Sequence, residues 1–101
     1  MFLVERYLTG VTESDLSTIV SAAVLAATSM SADGHDVRYL ASTLIPVDEV
    51  VLCLFEAESA HTVAEVNRLA DVPFGRIVPA IHLVPTPLDQ KLRPPEAASH
   101  L

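Results

Sequence analysis

The chain has 101 residues, half of them hydrophobic but only five aromatic, and a formal charge of −7. That length makes one domain with a modest core that a partner subunit would help to cover, and the acidic balance excludes nucleic acid, whose phosphates need clustered Lys and Arg. The single cysteine, Cys53, excludes an internal disulfide, and "MFLVER" lacks the basic start of a signal peptide, so a cytoplasmic protein is expected.

"FLVERYL" (2–8) predicts a first strand, closed by Gly10. A helix follows through "VTESDLSTIVSAAVLAATSM", capped by Thr12 or Ser14, with Glu13 and Asp15 at the positive end of its dipole. Leu16, Ile19, Val20, Ala23, Val24 and Ala27 recur at helical spacing and form its inward face. The opposite face, through Ser17, Ser21 and Leu25, carries no charge, unlike that of a freely solvated helix. This uncharged run is too short and too rich in Ser and Thr to span a bilayer unaided, so no membrane is expected.

After the turn "SADGHD", the stretch "VRYLASTLIP" (37–46) predicts a second strand, "VDE" a tight connection and "VVLCLFEA" (50–57) a third strand. A second helix runs through "SAHTVAEVNRLAD", capped by Ser59, with Val63, Val66, Leu69 and Ala70 inward, and Pro73 ends it. "RIVPAIHLV" (76–84) predicts a fourth strand, in which Pro79 suits a sheet edge. The domain therefore covers 1–84, and a proline-rich tail over 85–101 is expected to be extended.

The order βαββαβ is the ferredoxin-like α+β arrangement, a four-stranded antiparallel sheet with both helices on one face. A half-exposed strand alternates apolar and polar residues, but the third strand is apolar on both sides. A homodimer packed sheet against sheet, of the dimeric α+β barrel type, is the expected cover. Side-chain parity assigns Leu40, Leu44, Leu52, Leu54, Ile77 and Ile81 to the helix side. It assigns Glu5, Tyr7, Tyr39, Thr43, Cys53, Phe55 and His82 to the partner side and sends Arg6 to the rim; a one-residue slip reverses any strand.

A plain hydrophobic interface has no use for a carboxylate, a thiol, phenols and an imidazole, whereas a ligand cavity does. Glu5, Tyr7, Tyr39, Thr43 and Phe55 are the candidate ligand-binding residues. Glu5, Cys53 and His82 are the candidate metal donors, because nickel and zinc accept carboxylate, thiolate and imidazole. The plainer reading is that Cys53 fills a core, since a mid-strand thiol has no helix terminus to lower its pKa. No HxxxH, CxxC or HExxH spacing is present. An alternative to the binding protein is a small isomerase, cyclase or monooxygenase using Glu5, Tyr39 or His82 as acid or base. A purely structural or regulatory protein is a third.

"FLVERYL", "RYLASTLIPVDEVVLCLFEAESAHTV" and "VPFGRIVPAIHL" resemble a family of small bacterial nickel-binding-protein-like chains. The resemblance implies a ferredoxin-like fold that pairs into a dimer, with Glu5, Cys53 and Glu56 as recurrent positions. The nickel-binding type has a histidine on the second strand where this chain has Ala41, which has no donor atom. Pro79 stands in place of that family's glutamate on strand four, and Asp71 in place of the glycine that ends its second helix.

Overall fold

The structure is a computed structural model that describes residues 1–85. The order is β1 (Phe2–Tyr7), α1 (Glu13–Ala32), β2 (Val37–Ile45), a 3-10 turn (Pro46–Asp48), β3 (Val50–Ala57), α2 (Ala60–Leu69) and β4 (Arg76–Pro79). The strands form one sheet in the order β2-β3-β1-β4, antiparallel throughout. This is the expected ferredoxin-like α+β fold, with β4 at an edge. Beyond Pro85, the expected tail lies outside the described residues.

Local chemistry sets the ends of the elements. At the start of α1 the Asp15 N–H donates to Thr12 Oγ1 at 3.1 Å, and the Thr12 N–H donates to Asp15 Oδ2 at 2.9 Å. That reciprocal box satisfies two N–H groups that a helix start otherwise leaves open. Ser59 caps α2 by accepting from the Thr62 N–H at 3.2 Å. Past the end of α2, Asp71 takes the left-handed conformation at φ 56°. In the β2–β3 turn Glu49 is also left-handed, at φ 53°, and its carbonyl accepts from the Leu8 N–H at 2.9 Å.

The core lies between sheet and helices. Val4, Val51, Cys53 and Phe55 meet Ala23, Ala26 and Ala27 of α1 and Val63 and Val66 of α2, all of them buried. By length and composition α1 is apolar enough to cross a bilayer. Here its three buried alanines lie against the sheet, where small side chains let the helix approach closely. The buried stripe is rotated from the expected one, since Ala26 is inside and Val24 is 40% exposed. On α2, Asn67 is buried and Leu69 is exposed.

The register corrects the side assignment of two strands. Val4 opposes Cys53 and Phe2 opposes Phe55, so Cys53 and Phe55 face the helices while Leu52 and Leu54 face away. A strand that is apolar on both faces carries no polarity signal to fix its parity, so the reversal was invisible. Within β2 a bulge between Tyr39 and Ala41 shifts the pairing by one residue. Tyr39 therefore packs on the helix side, whereas Ala41 and Thr43 lie on the open face opposite Leu54 and Leu52. β4 is also shorter than expected. Its ladder ends where the Ala80 N–H donates to the Met1 carbonyl at 2.9 Å, and Ile81 and His82 lie beyond it, exposed.

Candidate functional site

The sheet face turned away from the helices carries Leu3, Glu5 and Tyr7 of β1, Leu52 and Leu54 of β3, Thr43 of β2, and Arg76 and Val78 of β4. Glu5 stands between Leu52 and Arg76, and its side chain is only 15% exposed. A carboxylate there needs donors. Arg76 supplies both, through Nε to Oε2 and through Nη2 to Oε1 at 3.3 Å. The hydrogen bond from Arg76 holds the Glu5 carboxyl below its usual range against the opposing effect of burial, and Glu5 in turn raises Arg76. Tyr7, 67% exposed, lines a groove of about 180 Å³ with Leu8, Pro73, Phe74 and Gly75. A second ion pair, Arg38–Glu56 at 3.1 Å, lies towards β2. Aliphatic side chains thus occupy the centre, with charges that are internally neutralised.

The remaining candidates lie elsewhere. Cys53 is fully buried on the helix side, where its Sγ accepts from Ser42 Oγ at 2.9 Å and Ser42 Oγ accepts from the Tyr39 hydroxyl at 2.8 Å. The Tyr39 and Phe55 rings meet edge to face with centroids 5.7 Å apart, so both belong to the core. His82 lies three residues past the end of β4 and is exposed, whereas Glu5 is paired with Arg76 at the first residue of that strand. Glu5, Cys53 and His82 are therefore not brought together, and among the described residues no group of three His, Cys, Asp or Glu gathers as a metal site. These donors do not fit nickel or zinc within one subunit. Nor do Glu5, Tyr39 and His82 share a site at which acid and base could act in concert.

Two features escaped the sequence reading. Arg76 becomes the partner of Glu5 only once the β1–β4 register is known. Arg6, expected at the rim, is fully buried. Its guanidinium donates to the Pro73 carbonyl at 3.1 Å and to Asn67 Oδ1, while Asn67 Nδ2 donates to the Val63 carbonyl at 2.7 Å. Arg6 Nε has no partner among the described residues. Asn67 lies in the last turn of α2, so the negative end of that helix dipole faces the buried charge.

A family model described as nickel responsive protein SCO4226-like matches residues 2–79. The crystal structure of SCO4226 from Streptomyces coelicolor A3(2) superposes with a TM-score of 0.65 at 22% identity, covering 84% of this chain and 95% of that one. At that identity the likeness carries the fold. No curated protein matches the sequence. With the match running from the first strand through the last, the chain belongs to the SCO4226-like family of nickel-responsive proteins.

Proposed function

We propose that the chain acts as a homodimeric binding protein, in which two open sheet faces meet and hold a small ligand against Glu5, Tyr7 and Thr43. The observation that supports this reading is the open face itself, where Leu3, Leu52, Leu54 and Val78 surround a carboxylate already neutralised by Arg76. Such a surface suits cover better than water. A second copy fits, because a two-fold axis sets the same apolar centre against itself.

The family's description names nickel. Here Glu5 is the one predicted metal donor on the open face, doubled by a second copy, while Ala41 offers no donor. Carboxylates alone suit harder cations than nickel. The ligand expected between the sheets is instead a small molecule with an apolar body and one polar group to meet the Glu5–Arg76 pair.

Light scattering at micromolar concentration is expected to give twice the chain mass, and a monomer would sink the reading. Calorimetry with nickel on tag-free protein is expected to show no micromolar binding that depends on Cys53 or His82. Tight binding lost in Cys53→Ala or His82→Ala would instead establish a metal centre built from those residues.

A further inference from the structure

Arg38, Arg68 and Arg76 each meet a carboxylate at the surface, where an ion pair is worth little. Arg6, fully buried, meets none among the described residues. Its acceptors are the Pro73 carbonyl and the Asn67 side-chain oxygen, which satisfy N–H groups but carry no net charge. The negative end of α2 offsets about half a unit of charge. A residual positive charge therefore stays inside the fold, where it is costly without a counter-ion. We infer that the cleft beside Arg6, at the C-terminal end of α2, is a binding site for a small monovalent carboxylate.

Strand register puts the guanidinium in reach of that cleft. Arg6 opposes Val51 and follows Val4 by two residues, so its side chain enters the layer between sheet and helices. Glu5 and the open face lie on the other side of the sheet, so this site does not depend on what covers that face. Asn67 reaches Arg6 from the last turn of α2, and Pro73 reaches it from the loop that leads to β4. Both acceptors belong to the lining of a cleft of about 360 Å³, together with Arg68, Asp71, Val72 and Phe74. That volume lies near the lower end of the ~300–1,000 Å³ usual for ligand pockets, which suits a small acid.

Arg6 Nε is the atom that points to a ligand. It is buried and has no hydrogen-bond partner among the described residues, whereas buried N–H groups in native proteins almost always have one. A carboxylate matches the donors left over, because a guanidinium presents them in a planar fork that fits carboxylate oxygens. One carboxylate oxygen accepting from Nε would satisfy the orphaned donor and neutralise the charge together. A doubly charged anion fits less well, since it would face the negative end of α2 and the Asp71 side chain in the same cleft.

The test follows the Arg6 Nε–H resonance by proton–nitrogen NMR on the full chain, as sodium acetate replaces sodium chloride at constant ionic strength. A saturable shift is expected, half complete at low-millimolar acetate, with slower exchange of that proton with water. The urea midpoint should rise with acetate in the parent protein, because the ligand binds the folded state alone, and should be indifferent to it in Arg6→Met. Asp71→Asn, an exposed change, removes the carboxylate from the cleft and is expected to tighten acetate about threefold. A linear shift, or a saturable one that leaves the Nε–H unmoved, overturns the site even if Arg6→Met does not fold. An acetate-dependent midpoint that survives in Arg6→Met overturns it as well. Tighter binding of phosphate than of acetate overturns the choice of a monovalent carboxylate.

Discussion

Glu5 shows how a residue's role depends on a neighbour 71 positions away. Its carboxyl is held below the ordinary value of 4.5 by Arg76, so as the pH falls the unfolded chain takes up this proton before the folded one does. The pair's contribution is fully present above about pH 4.5 and is lost as the pH drops through the folded value. In Arg76→Met the Glu5 titration, followed by carboxyl NMR, is expected to move up, because burial then acts unopposed. An unmoved titration would show that Arg76 does not set it. Arg6 poses the opposite problem, a buried cation whose partners are neutral. Asn67→Leu strips one acceptor from the guanidinium and is expected to cost roughly 2–4 kcal/mol in urea unfolding. Adding Arg6→Met should recover part of that loss, since removing both ends leaves less unsatisfied than removing one. Additive losses would mean that the two side chains act independently. The sequence marked Glu5 as needing a donor but could not name it.

Elements with a local cause were legible. Of the two caps expected for α1, Thr12 or Ser14, Thr12 is the one that forms, with Asp15, and Ser59 caps α2 as expected, both through short-range hydrogen bonds. The length of β4 has no such local cause. "RIVPAIHLV" has strand propensity throughout, yet pairing stops after Pro79 because a strand lasts only as long as its neighbour. The turn after α2 lies between these cases. Asp71 sits at φ 56°, a conformation that a glycine adopts without steric cost. Asp71→Gly is therefore expected to stabilise the protein by about 0.5 kcal/mol, the relief of strain exceeding the added freedom of the unfolded chain. A lower urea midpoint in that variant would show that the Asp71 side chain does more than tolerate the turn.

For the whole molecule, the two faces of β3 assign different fates to similar substitutions. Phe55 is fully buried against the helices, so Phe55→Asp is expected to unfold the subunit: losing the ring costs about 3–5 kcal/mol and an unpaired buried charge adds several more. That total approaches the 5–15 kcal/mol available to a domain. Leu52→Asp places the charge on the open face instead, and is expected to leave a folded monomer. Circular dichroism with light scattering separates the cases, and a folded monomer from Phe55→Asp would restore the original side assignment.

The sequence by itself determined the order of the elements, where the two helices start, the edge position of β4 and a third strand that is apolar on both faces. These follow from periodicity, capping residues and proline, which act over a few residues. Tertiary structure alone decided which face of β3 meets the helices, that Tyr39, Cys53 and Phe55 are core, that Arg76 meets Glu5, and that Arg6 is inside. Each of these turns on strand register, and register is set by packing between residues far apart in the chain. A bulge at Leu40 is enough to exchange the two faces along β2, and β3, apolar on both sides, carries no polarity that could have revealed which way it turned.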